Sequence, residues 1–257
     1  MRANLTLDLS TLLAFLLVLA RVAGALVFVP LPGVKAAPDA VRAALACGVT
    51  LALSGQWPAV DASGVTPARL AGWALGESAA GIAIGVSVAI VLEAFVLAAQ
   101  VLGLQAGYAY ASTVDPNTQA DSGILLVFAQ LIAGLLFFAL GLDRGVLRLF
   151  GESLERIPPG GAAFSPGSAQ ALIRLGESLF SVGMRLALPV VALLILVDVA
   201  LALLGRINTQ LQLLSLAFPA KMLAALLVLS WIAALFPRLL RLLGDQALAG
   251  AHQALGL

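Results

Sequence analysis

Long apolar runs alternate with short polar punctuation along the whole chain. The runs fall near Leu9–Val29, Val41–Leu53, Leu70–Leu92, Ala94–Ala111, Gly123–Leu142, Leu179–Leu204 and Leu211–Phe236. An α-helix needs about 20 apolar residues to cross the hydrocarbon core of a bilayer, so most of these runs predict membrane helices. The Val41–Leu53 run is short for a full crossing and predicts a segment half-buried against partners or re-entrant. Glu93 alone separates the third and fourth runs, which leaves either one very long helix or a sharp turn there. The first run resembles a signal peptide ending at Ala23-Gly24-Ala25. However, Arg21 interrupts its apolar stretch and only Arg2 precedes it, so a retained first helix is expected.

Proline and glycine mark the breaks. Pro30, Pro32 and Gly33 end the first helix, and Pro38 bounds the following loop. Trp57-Pro58 and Pro67 bracket a polar loop, with Trp57 and Trp73 placed as candidate interface anchors. Asp115-Pro116-Asn117 is turn chemistry, because Asp and Asn bond their own backbone while Pro fixes φ. Pro158-Pro159-Gly160-Gly161 ends a charged amphipathic stretch and begins a linker. It predicts two parts, 1–161 and 162–257, the second a helical hairpin with a tail.

Composition fixes the class. Of 257 residues, 61% are hydrophobic and only 11% charged, against about 25% charged in soluble domains. Mean hydropathy is +1.07. A water-soluble globule of this size could not give itself a polar skin from such material, so an all-α membrane protein is expected. The net charge of +1 points to no nucleic-acid partner. Cys47 is the single cysteine and His252 the single histidine, so neither a zinc site nor a Ser/His triad has material to draw on. No P-loop, HExxH or dinucleotide fingerprint is present, and no cofactor or catalytic activity is expected.

Charge distribution gives an orientation. No Lys or Arg lies between Arg69 and Arg144, and Asp115 and Asp121 sit within that gap. That turn should face away from the cytoplasm, whereas the 143–177 region, with Arg144, Arg148, Arg156 and Arg174, should be cytoplasmic. The tail carrying Arg238 and Arg241 should be cytoplasmic as well, which places the Gly205–Thr209 turn outside.

Six charges interrupt apolar runs: Arg21, Glu77, Glu93, Arg185, Asp198 and Lys221. A charge at the bilayer centre costs at least about 2.5 kcal/mol on insertion scales, so each needs a partner or a wet cavity. Three are basic and three acidic, which permits pairing. They mark either a polar pathway or ion pairs that fix packing. Gly72xxxGly76, Gly81xxxGly85 and Gly103xxxGly107 repeat a spacing that lets helix backbones approach closely. Between two apolar runs lies the polar, small-residue stretch Gly107–Gly123, with Tyr108 and Tyr110, the only tyrosines. It is either a simple external loop or an element that lines or closes a pore.

Four stretches together resemble the R-type subunit of the flagellar and virulence type III secretion export apparatus, the FliR/SctT-like family. They are Ala20-Arg21 with Pro30, Pro32-Gly33 and Arg42; Glu93 through Gln100, Gly103, Gln105 and Gly107 to Val114-Asp115-Pro116; Ile157-Pro158-Pro159-Gly160; and Asp198 through Arg206-Ile207-Asn208-Thr209-Gln210, followed by Phe218-Pro219-Ala220-Lys221. Their order and spacing span nearly the whole chain. The chain departs from the family pattern at Gly141-Leu142-Asp143-Arg144 and at Thr209-Gln210.

The resemblance implies a non-enzymatic subunit of a bacterial inner-membrane export gate, in the basal body of a flagellum or an injectisome, with the flagellar system favoured. It implies a P-like N-terminal part fused to a Q-like hairpin, joined with P-type and Q-type sister subunits in a stepped helical assembly and wrapped by a B-type switch protein. The gate would pass unfolded exported proteins. By the same resemblance, Gly107, Tyr108, Tyr110, Asp115, Pro116 and Asn117 belong to a plug loop near 107–122. Arg21, Glu77, Glu93, Asp198, Arg206 and Lys221 are then inter-subunit or buried charges. The alternative from the residues alone is a stand-alone ion or small-molecule transporter, which the lack of a clear inverted repeat disfavours.

Overall fold

The computed structural model describes residues 8–29, 38–57, 60, 65–108, 124–158, 160–161, 166–207 and 213–257. All regular elements among them are helical. In chain order they are α1 (Leu9–Leu26), α2 (Asp39–Ala52), a short 3-10 turn (Ser54–Gln56), α3 (Pro67–Ala106), α4 (Ile124–Ala139), α5 (Leu142–Arg156), α6 (Pro166–Ile207), α7 (Leu213–Ile232), a second 3-10 turn (Ala233–Leu235) and α8 (Phe236–Leu255). Four helical stretches are long and apolar enough to cross a membrane, or five if the broken pair α4 and α5 counts as one span.

The third and fourth apolar runs form one helix of 40 residues, α3. Nothing near Glu93 ends a helix: no Gly or Pro stands beside it, and Ala, Leu and Val carry the backbone through. The Leu179–Leu204 run likewise extends, into the 42-residue α6, which contains Pro189. The break between α4 and α5 falls at Gly141, whose φ of 71° a residue with a Cβ adopts only with strain. α5 is amphipathic at helical spacing, burying Leu142, Val146, Leu149, Phe150, Ser153 and Leu154.

The chain divides into two compact units. The first comprises residues 1–90, 141–176 and 243–257, and the second residues 91–140 and 177–242. In the first unit α1 packs against α2. Leu13, Ala14, Leu17 and Val60 form a small core with Trp57, Leu70 and Trp73 against it. Trp57 donates its indole N–H to the Thr50 carbonyl at 3.0 Å and tilts onto Phe15. Arg69 lies over the Trp73 ring. Both tryptophans, expected at an interface, thus pack within this unit. The buried hydroxyls of Thr50 and Ser87 bond the carbonyls one turn back, at Ala46 and Ala83, so neither hydroxyl is stranded.

Two glycine-dependent crossings set the first unit's geometry. A methyl at Gly81 would overlap the Arg21 carbonyl, one at Gly85 the Ala25 carbonyl, and one at Gly24 the Ser78 carbonyl. α1 and α3 therefore touch backbone to backbone. Of the three GxxxG spacings, Gly81xxxGly85 makes such a crossing, whereas Gly72 and Gly103 face open space. α5 and α8 cross through Gly145, which faces Leu248, and Gly244, which faces Leu142. His252 ties the same pair of helices, with Nε2 2.8 Å from Glu152 and Nδ1 2.8 Å from the Leu248 carbonyl.

The second unit is built on Ala98, Leu102 and Ala106 of α3, Ala187, Val190 and Leu194 of α6, and Ala225 of α7. Phe95 and Phe236 meet edge to face at 5.8 Å. Only 17% of the most apolar window of α6, and 11% of that in the Pro219–Leu255 stretch, is buried within the chain. Most of this surface therefore faces lipid or other protein.

Replacing Gly81 with Ala should separate α1 from α3 and destabilise the chain by about 1–3 kcal/mol, the usual range for overpacking. Gly72→Ala, on an open face inside α3, should leave the detergent-solubilised protein's melting temperature unchanged or slightly raised, since Ala favours the helix. Comparing the two melting curves checks the crossing.

Candidate functional site

The close α1–α3 crossing brings two charged side chains together in a dry interior. Arg21 on α1 and Glu77 on α3 are both fully buried and pair with Nε 2.6 Å from Oε2. The remaining guanidinium nitrogens are also satisfied. Nη1 donates to Ser153 Oγ at 3.0 Å, and Nη2 donates to the Ile157 carbonyl at 3.0 Å. Ser153 in turn donates to the Phe150 carbonyl at 2.8 Å. The other carboxylate oxygen of Glu77 accepts the Gly160 backbone N–H at 3.0 Å.

Every strong polar partner therefore comes from inside the first unit. A desolvated ion pair is tolerable only when its leftover donors and acceptors are also bonded, and this cluster meets that condition. The Ile157–Gly160 motif acquires a physical role: one end supplies a carbonyl to the cation and the other an N–H to the anion. Gly160 has φ of 84°, and a Cβ there would collide with the Trp73 indole. Two independent constraints thus select glycine at this position.

A second cluster lies in the second unit. Lys221 on α7 pairs with one carboxylate oxygen of Asp198 on α6. Gln105, near the end of α3, donates Nε2–H to the other oxygen at 3.3 Å. Tyr108 donates its hydroxyl to the Met222 carbonyl at 3.1 Å. Three helices are thereby pinned at the point where the polar stretch after Gly107 begins. Asp198 remains 40% exposed, and it lies in the apolar run Leu179–Leu204.

The other charges behave differently. Glu93 is half-buried and is not without a partner. Arg185 and Arg206 are exposed, and neither has a hydrogen bond or ion pair among the described residues. Arg206 sits in the last turn of α6, where its charge suits the negative end of the helix. Gly107 adopts a positive φ of 84° just past the end of α3, which turns the chain out of that helix. Tyr110, Asp115, Pro116 and Asn117 lie outside the described residues.

Sequence reading singled out the charges but not Ser153, Gln105 or the Trp73–Gly160 contact as partners. Ser153 carried a weak signal, being a small polar residue on the apolar face of α5. Gln105 carried another, being the one amide on the last turn of α3.

Long apolar helices with ion pairs set between them define an all-α integral membrane protein. The chain belongs to the family described as bacterial export proteins, family 1, which it matches over residues 12–246. It is similar to the flagellar biosynthetic protein FliR of Escherichia coli K12, at 29% identity over 85% of this chain and 82% of that protein. The FliR of Caulobacter vibrioides is 24% identical over 83% of this chain and 86% of its own length. For Pectobacterium carotovorum FliR the identity is 28%, over 61% of this chain and 60% of the relative.

Substituting Glu77 with Ala would leave the Arg21 guanidinium buried beside no anion. The expected loss is about 3–5 kcal/mol of stability, the range for breaking one partner of a buried pair. Gly160→Ala should also destabilise, because the left-handed conformation alone costs an L-residue about 1–2 kcal/mol. Glu152→Ala, at a half-exposed position, should have a small effect. Unfolding titrations of the three variants in mixed micelles check the order.

Proposed function

We propose that this chain is the R-type subunit of a flagellar protein-export gate in the bacterial inner membrane, forming part of the channel for unfolded substrates. Family membership over nearly the whole chain carries the reading. The names of the relatives give it the flagellar direction. Its work is mechanical and conductive rather than catalytic, and energy comes from elsewhere.

In this reading, residues 1–161 are the P-like part and residues 162–257 the Q-like hairpin and tail. Sister P- and Q-type subunits cover the apolar faces that the chain leaves unburied on α6 and α7. Arg206 and the open side of Asp198 meet polar groups of those subunits. A B-type switch protein lies against the outside of the gate. The plug is the segment from Gly107 to Ser122, including Tyr108, Tyr110, Asp115, Pro116 and Asn117. Its small polar residues suit a barrier that yields to an unfolded chain. The Tyr108–Met222 and Gln105–Asp198 bonds support this reading, because they hold the root of that segment on α6 and α7.

Two outcomes follow. Deleting residues within 109–122 should make membranes containing the assembly permeable to small solutes; unchanged permeability would remove the plug from the account. Arg206→Glu should reduce co-purification with P- and Q-type subunits. Arg206 has no partner among the described residues of its own chain, so this change isolates an inter-subunit contact better than one at Lys221, which also holds Asp198. An intact complex would show that this charge is not at an interface.

A further inference from the structure

The last turns of α8 are docked in the first unit by little apolar material. The buried residues there are Ala247, Ala251 and Ala254, and an alanine methyl contributes little area. His252 adds a polar tie. It stands in the last turn of α8, and each of its ring nitrogens faces an acceptor at 2.8 Å. Nδ1 meets the Leu248 carbonyl, and Nε2 meets a carboxylate oxygen of Glu152 on α5. A carbonyl only accepts, and so does an ionised carboxylate. A neutral imidazole has one N–H and can serve only one of them. Both bonds exist together when the ring carries two protons. The charged ring also suits the negative end of the helix.

The charged neighbours leave this pairing in place. On α5, Arg148 and Arg156 attract the Glu152 carboxylate, and Arg156 also repels the charged ring. Glu155 on the same helix is exposed. On α8, Asp245 is exposed and seven residues back, about 10 Å along the axis. The start of α6 packs on α8 where Leu175 meets Gly250, and its Arg174 is exposed. Glu152 is the acceptor that a proton on Nε2 faces.

We propose that His252 is a proton-dependent clasp on the end of α8, tight on α5 while the ring is charged and loosened as rising pH removes the Nε2 proton. The sign follows from the two bonds. The charged ring makes both, whereas the neutral ring must turn a lone pair toward a carbonyl or a carboxylate and give one up. The end of α8 is then a segment whose docking responds to pH on its side of the membrane. The clasp lies wholly within the first unit and is independent of the export reading.

The test is amide hydrogen exchange on the full-length protein in lipid nanodiscs between pH 6 and 8.5, above the ordinary carboxylate range of about 4. Rates are corrected for the base catalysis seen in an unstructured peptide. Amides of Ala247–Leu255 should lose about two- to fivefold of their protection across this range, the scale of a partly exposed ion pair. Amides of α1 around Arg21 should keep theirs. His252→Lys holds its positive charge throughout the range. Glu152→Gln can accept from a charged ring or donate to a neutral one. Protection of the α8 amides should be independent of pH in both variants. Constant protection in the unmodified protein would overturn the proposal. So would a pH dependence that survives in either variant, or one that α1 shares equally, since another group or a general loosening would then be responsible.

Discussion

The first unit depends on keeping a guanidinium and a carboxylate out of water. Removing either charge from solvent costs several kcal/mol, and their mutual attraction offsets this only with good geometry and no leftover polar atoms. Arg21 and Glu77 meet the geometric condition because three glycines let α1 and α3 touch backbone to backbone. They meet the second condition because Ser153, the Ile157 carbonyl and the Gly160 N–H take up what the pair leaves over. The crossing, α5 and the turn after it are therefore one cooperative device. Loosening any part exposes an unpaired charge in the others.

The second unit handles charge in another way. Asp198 is paired with Lys221 and Gln105 yet remains partly exposed within an apolar run. Arg185 and Arg206 are exposed outright. In lipid such groups are costly, whereas against neighbouring proteins they are contacts. A chain that completes one set of charges internally and leaves another open suits a subunit with a rigid core and an outer face made for assembly. The same contrast appears in burial, since little of the apolar surface of α6 and of the Pro219–Leu255 stretch is covered by the chain itself.

Much of the fold was legible in the sequence, because apolar run length and helix-breaking residues act locally. The spans, the amphipathic α5 and the break before Pro158 all follow from such signals. The continuity of α3 through Glu93 stayed open, since one charge neither ends a helix nor forbids a turn. Partner choice was not legible. Arg21 and Glu77 stood out as charges in apolar runs, but Ser153 and Gly160 are 132 and 139 positions from Arg21, and only the tertiary crossing brings them close. Likewise, the three GxxxG spacings look alike in sequence, whereas Gly81 and Gly85 meet another backbone and Gly72 and Gly103 face open space.

Arg21 and Glu77 are energetically one unit. A double-mutant cycle tests it directly, using Arg21→Met, Glu77→Leu and the double substitution, with unfolding free energies measured in one lipid–detergent mixture. The double variant should be more stable than either single one, with a coupling at or above the usual upper range of about 3 kcal/mol for contacting residues. Single-variant effects that simply add would contradict it, since the two charges would then be buried side by side without depending on each other.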